Sequence, residues 1–264
     1  MKNFNKDTRD RIEKLYKRII CEKFPKYGTL WNLFVGDGTT RRSRLLRPYG
    51  MRIPSSSKHR AKEIRRLYLT FTQIHYTLFC NLAGAHYQLN ELKKSLSIAN
   101  INIKYFKHWE AFECLYSHLG IVRNSMYGLW GVFFELSQTI GKDKFNDVGI
   151  VKNKLAAHLT KNMYKRIKTF DDKIITIREN ITHFSRISHL YLNDKYYIPL
   201  RMKRRKYIIW DKQLQGKGYQ ETWAKACQDI ENIETLLNSL HSILIHNFNN
   251  WLMCSNISIK NTRR

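Results

Sequence analysis

The stretch from Trp109 to Ile140 limits the possible folds of this chain more than any other. Leu115, Leu119, Val122, Met126, Leu129, Phe133, Leu136 and Ile140 alternate steps of four and three without a break, the repeat that holds side chains on one stripe of a 3.6-residue turn. Tyr116, Trp130 and Phe134 carry the apolar surface further round the axis. A helix this greasy on more than one side is central to its bundle or packed against a second subunit.

The same period recurs elsewhere. A helix from about Arg60 to Leu96 has Ile64, Leu67, Phe71, Ile74, Leu78, Leu82, Ala85, Leu89, Leu92 and Leu96 on its stripe; a third pattern places Phe170, Ile174, Ile177, Ile181 and Phe184 together; a fourth begins near Gln220 or Glu221 and runs past Trp251 through Trp223, Ala226, Ile230, Ile233, Leu237, Leu240, Leu244 and Phe248. A shorter first helix fits Asp7 to Phe24, stopped by Pro25, and Gly28, Gly36, Gly38, Pro48, Gly50 and Pro54 make the following stretch a loop. Four prolines and 12 glycines leave the rest of the 264 residues free to be helical. The expectation is an all-α protein, an up-and-down bundle of long antiparallel helices, preceded by an additional helical region. The segment "SIANINI" near residue 100 is the best candidate boundary, dividing an N-terminal basic helical region, 1–100, from a bundle at 101–264.

Charge narrows the partner. Forty-seven Lys and Arg against 21 Asp and Glu give a net charge of +26, far more than solubility needs, so a polyanion, in the first place nucleic acid, is expected. Two stretches concentrate it. The first, Arg41 to Arg66, carries Arg41, Arg42, Arg44 and Arg47, then Arg52, Arg65 and Arg66, with Glu63 as its single acid; such density reads as phosphate contact. The second, "KYYIPLRMKRRKYIIWDK", reads as a loop and mixes Arg201, Lys203, Arg204, Arg205 and Lys206 with Tyr196 and Tyr197, a combination that holds a backbone and stacks unpaired bases.

Other classes are disfavoured. The five cysteines are scattered and form no CxxC pair, so neither a disulfide frame nor a zinc knuckle is expected. No histidine grouping has metal-ligand spacing, and no cofactor motif is present: "GDG" at Gly36 to Gly38 lacks the residues of a phosphate loop. No signal core and no membrane-spanning run occur, so a cytoplasmic protein without membrane association is expected.

One short segment carries chemistry. Residues 177 to 184 read "IRENITHF" and lie on the third helical pattern. On a wheel of about 100° per residue, Arg178 and His183 fall off the apolar stripe and about 140° apart, so one straight helix cannot bring both to one phosphate. A second copy of the helix, or a bend, is required.

The segment "RENITH", Arg178 to His183, resembles the R-x4-H motif of the HEPN superfamily, small helical bundles that commonly dimerise and act as metal-independent endoribonucleases. The resemblance spans residues from about 105 to 255, with a long apolar helix, a connector, the motif helix and a closing helix in the family's order. It implies a homodimer in which motif helices of two subunits face each other and paired Arg178 and His183 cut RNA, with Asn180 as an accessory residue. Where the family has Asn, Asp or His directly after the arginine, this chain has Glu179, and the asparagine follows it. The residue types suit the task. RNA brings its own 2′-OH nucleophile, a histidine with a pKa near 6.5 moves protons, and a guanidinium holds nonbridging phosphate oxygens.

The leading expectation is therefore a HEPN-type endoribonuclease, in the role of a defence or toxin effector. Two readings from other classes stand beside it. One is a non-enzymatic RNA- or DNA-binding helical protein; the other is a subunit of a larger ribonucleoprotein, or one docked on a regulatory protein.

Overall fold

A computed structural model of the chain describes residues 6–19, 22, 51–52, 58–184, 190–192, 194–199, 219–254 and 258–259. The helices among them are α1 (Lys6–Arg18), α2 (Lys58–Ser95), α3 (Ile101–Leu136), α4 (Val148–Ala156), α5 (Lys161–Phe184) and α6 (Thr222–Cys254). The strands are short: β1 (Met51–Arg52), β2 (Leu190–Leu192), β3 (Lys195–Pro199), β4 (Tyr219–Glu221) and β5 (Ser258–Ile259). The fold is all-α, with helix over 83% of the described residues. Among those residues no helix is long and apolar enough to cross a membrane.

The chain forms two compact units, one of Met1–Tyr16, Cys80–Arg123 and Lys161–Leu236, the other of Lys17–Phe79, Asn124–Thr160 and Leu237–Arg264. The boundary expected from the sequence lies at residue 100. The residues there are a turn, Leu96–Asn100, between two helices, and Asn100 opens α3 by accepting from the backbone N–H groups of Asn102 and Ile103. An asparagine cap after a loop is a helix start signal, and it does not by itself separate domains.

In the first unit, side-chain contacts fix the helix directions. Ser95 meets His108 at 2.8 Å and Asn81 meets His118 at 2.9 Å, so α2 and α3 run antiparallel. His86 meets Glu234 at 2.7 Å, and Lys93 lies over the Trp223 ring, which makes α6 antiparallel to α2. Arg123 pairs with Asp171 while Gly120 lies against Arg178, which makes α5 antiparallel to α3. The result is an up-and-down bundle, four helices in alternating directions, with α2 added to the three helices expected to form it. Its core draws on Leu82, Leu92, Phe112, Leu115, Leu119, Ile167, Ile174, Ile177, Ile230 and Ile233, all buried.

A three-stranded antiparallel sheet, in the order β2-β3-β4, lies between α5 and α6 in the chain, and it makes Lys195–Pro199, the start of the expected basic loop, a strand. β2 pairs with β3 through Leu190↔Tyr197 and Tyr191↔Tyr196, and β3 with β4 through Tyr197↔Glu221 and Ile198↔Gln220. Asp194, with φ 58, supplies the left-handed residue that a tight hairpin turn demands. Period-two alternation then buries Tyr196 and Ile198 and leaves Lys195 exposed.

In the second unit, every residue of α3 from Ser125 to Leu136 is buried. The all-round apolar surface of that segment is therefore covered within the chain. Gly131 allows this packing, because a Cβ there would come within 2.8 Å of the Phe145 Cα and closer still to its carbonyl oxygen. The nearby α4 starts at Asp147, whose side chain accepts from the Ile150 N–H at 3.0 Å.

Candidate functional site

Helix α5 carries the motif. Its apolar residues Ile167, Phe170, Ile174 and Ile177 are buried in the first unit, which fixes the helix's rotation and turns Arg178 outward. Arg178 is exposed. Its stem crosses α3 at Gly120: a Cβ built there would lie 2.7 Å from Arg178 Cδ, 3.1 Å from Nε and 3.3 Å from Nη1. The missing side chain at position 120 is what lets the arginine lie so close to the neighbouring helix. Nothing in the sequence around Gly120 marks it, since a glycine inside an apolar helix reads as a small core residue.

Two turns earlier on α5, Asp171 is fully buried and takes a forked pair of bonds from Arg123 of α3, Nε to Oδ1 at 2.8 Å and Nη2 to Oδ2 at 3.1 Å. This planar bidentate match fixes the position of α5 on α3. The two arginines differ in state. Arg123 is committed to a buried carboxylate, whereas Arg178 is exposed and forms no ion pair with another described residue.

His183 and Asn180 lie within α5, about one turn or less from its end at Phe184; their side chains fall outside the described residues. Their backbone positions keep the sequence arithmetic. Arg178 and His183 stand about 140° apart round one helix, and α5 continues unbroken through both positions to Phe184.

The expected nucleic-acid residues divide into three groups. Arg41, Arg42, Arg44 and Arg47, and likewise Arg201, Lys203, Arg204, Arg205 and Lys206, lie outside the described residues. Arg52 falls on β1 opposite Ser258 and Arg65 on α2, with side chains outside the described residues. For Arg66 and Tyr196 the structure gives a different use.

Arg66 pairs with the buried carboxylate of Glu135 and, at 2.9 Å, with Asp143. It ties α2 to the end of α3 within the second unit, so its charge is neutralised at home and is not offered to phosphate. The burial of Glu135 explains this, since a carboxylate inside a helix packed all round needs a cation beside it.

Tyr196 is 1% exposed, its ring stacked on His108 with centroids 4.3 Å apart. It is not presented to a base. Burial pushes its hydroxyl pKa up to about 12, so it remains a neutral phenol. The surrounding groups form a buried chain: Ser95 to His108 Nδ1 at 2.8 Å, His108 Nε2 to Thr222 at 2.7 Å, and Thr222 Oγ1 donating to the Tyr196 carbonyl at 3.2 Å. Burial lowers the His108 pKa to about 4, which keeps the ring neutral and fixes it as a staple joining the sheet, α3 and the start of α6. Tyr197, in contrast, is half-buried.

Among the described residues no group of three or more His, Cys, Asp or Glu gathers as a metal site. Comparison with protein families, with curated proteins and with solved structures found no match.

Proposed function

We propose that this protein is a metal-independent endoribonuclease of the HEPN type, with Arg178 and His183 drawn from two facing copies of α5. The observation that carries the reading is the state of Arg178: exposed, seated over Gly120, and without an ion-pair partner among the described residues. The angle of about 140° between the two motif positions supports pairing in trans, because one copy cannot point both side chains at one phosphorus.

The chemistry uses groups that both partners already have. His183 accepts the proton of the ribose 2′-OH as that oxygen attacks the adjacent phosphorus. Arg178 holds the nonbridging oxygens as charge builds on them. The bond to the 5′-oxygen then breaks, and that oxygen takes a proton from an imidazolium or from water. The products are a 2′,3′-cyclic phosphate and a 5′-hydroxyl end. DNA lacks the nucleophile and is not cut.

The test is cleavage of a labelled single-stranded RNA by purified protein in EDTA, with product ends identified by mass. Cyclic phosphate ends are expected, with Arg178→Ala and His183→Ala each inactive and each still binding RNA. Tight binding without cleavage under any condition would transfer the assignment to a non-enzymatic RNA-binding protein.

A further inference from the structure

Within the first unit, α5 and α6 enclose an open cavity of about 510 Å³, lined on α5 by Asn162, Lys165, Arg166, Thr169 and Lys173 and on α6 by Asn232, with Phe170 and Leu236 beneath. None of the lining residues is a carboxylate. Lys165, Arg166 and Lys173 are all exposed and form no ion pair with another described residue, so their stems line the groove while their charges face solvent. None of these residues belongs to the basic stretches that the sequence singles out.

We propose that this groove is the path of a single RNA strand, holding consecutive phosphates upstream or downstream of the bond that is cut. The proposal rests on the reading of the protein as a ribonuclease for its choice of RNA among polyanions.

Three observations converge on it. The first is electrostatic. Asp229, one turn before Asn232 on α6, is buried and already held by Lys225 and by the Tyr116 hydroxyl, and the exposed acids beside the groove, Asp172 and Glu231, are outnumbered by its three exposed cations. Lys225 has its pKa lowered mainly by burial, with Asp229 opposing and Lys173 adding to the lowering. Lys173 is thus close enough to Lys225 to act on its charge, and a phosphate beside Lys173 would offset that positive field.

The second is shape and donor chemistry. A furrow between two packed helices, whose axes stand roughly 8–10 Å apart, admits one strand and excludes a duplex. The two amides and Thr169 offer both donors and acceptors, as reading a 2′-OH or a base edge requires.

The third is direction. On α5, Lys165, Thr169 and Lys173 step by four, and steps of three, four and three continue the same stripe through Thr176 and Asn180 to His183. From Asn162 to His183 this stripe is about 30 Å long. Arg178 lies on the other flank, against α3. A strand in the groove is therefore led to the histidine of its own copy, leaving the arginine to come from the partner copy.

The experiment uses full-length His183→Ala protein, so that RNA is bound and not cut, and measures the affinity for a single-stranded RNA as salt is varied. A groove variant, Lys165→Gln/Arg166→Gln/Lys173→Gln, is compared with a control of equal charge change, Lys142→Gln/Lys144→Gln/Lys154→Gln, whose residues are exposed in the second unit. Each phosphate contact contributes about 0.7 to the slope of log affinity against log salt, so the groove variant is expected to lose about 2 from the slope and the control less than 1. Circular dichroism and melting check that both variants fold.

An unchanged slope in the groove variant, or an equal loss in the control, overturns the proposal. So does an equal weakening of binding to polyglutamate or to anionic lipid vesicles, since the groove would then be a general anion surface. The two readings fail separately. A groove variant that binds normally while wild-type protein cuts RNA removes the path and keeps the enzyme, whereas loss of slope in a protein that never cuts keeps the path and removes the enzyme.

Discussion

If the proposed RNA cleavage depends on Arg178, replacing Gly120 by alanine is expected to suppress it without loosening the fold. The added Cβ would lie 2.7 Å from Arg178 Cδ and 3.1 Å from Nε, whereas unstrained carbon contacts settle at about 3.5–4.0 Å. The Arg178 stem must therefore retreat by about 1 Å, which its exposure and its rotatable bonds permit at little cost in stability. Alanine is also about 1 kcal/mol better than glycine in a helix interior, so melting is expected to stay level or rise by up to about 3 °C. A displacement of about 1 Å in a positioned catalytic group can cost on the order of 10²-fold in rate. Initial rates on a fluorogenic RNA in EDTA are thus expected to show kcat down by about that factor, with KM little changed. Gly128→Ala is the matched control on the same helix, since its Cβ meets Ile74, 3.2 Å away, and not Arg178. Wild-type kcat in Gly120→Ala, or a loss of kcat that tracks a fall in melting temperature, would refute the seating of Arg178 over Gly120.

Acid should destabilise the fold through His108. Its pKa is lowered by burial to about 4 in the folded protein, against 6.5 ordinarily, so the neutral ring's contribution is complete above about pH 6.5 and is lost as pH falls toward 4. That amounts to roughly 3 kcal/mol; urea midpoints at pH 7.5 and 4.5 should converge in His108→Gln relative to wild type, and equal pH dependence in both would contradict the assignment. Asp171→Ala removes the carboxylate that Arg123 grips and should cost about 3 kcal/mol, read as a shift in the urea midpoint; a shift near zero would mean the fork does not hold α5. Gly131→Ala pushes a methyl into the Phe145 backbone, which cannot swing aside as Arg178 can, and should lower stability by about 2 kcal/mol despite the better helix residue; a rise in melting temperature would contradict the close approach.

The long helices were legible because their signal is local and repeated. Steps of three and four through Ile64 to Leu92, Leu115 to Leu136, Ile174 to Ile181 and Ala226 to Phe248 admit one geometry, and α2, α3, α5 and α6 follow it. The sheet was readable and overshadowed: "LYLNDKYYI" holds two alternating segments about an Asn-Asp turn, yet the arginines after it drew the whole region toward a basic loop. α4 was equally accessible, with Asp147 as its cap ahead of the short "VGIVKNKLA".

Contacts between distant residues are a different matter. The surroundings of Tyr196 and Arg66 are set by residues far away in sequence, His108 and Thr222 for one and Glu135 for the other, which no local pattern shows. Gly120 and the cations of the α5–α6 groove escaped for the same reason. Lys165, Arg166 and Lys173 are ordinary exposed positions until Asn232 and Leu236 close the opposite wall. A charge run is visible in one dimension, whereas a groove exists only after packing.

The central claim, that one copy's Arg178 works with another copy's His183, is tested most directly by mixing. Arg178→Ala and His183→Ala proteins are each assayed alone in EDTA, then after being unfolded, combined and refolded together. The account predicts no cleavage from either protein alone and recovered cleavage, with cyclic phosphate ends, from the mixture, because a mixed pair keeps one arginine and one histidine across the two copies. Cleavage by either variant alone at the wild-type rate, or two inactive variants whose mixture remains inactive while wild type treated in the same way recovers, would contradict it.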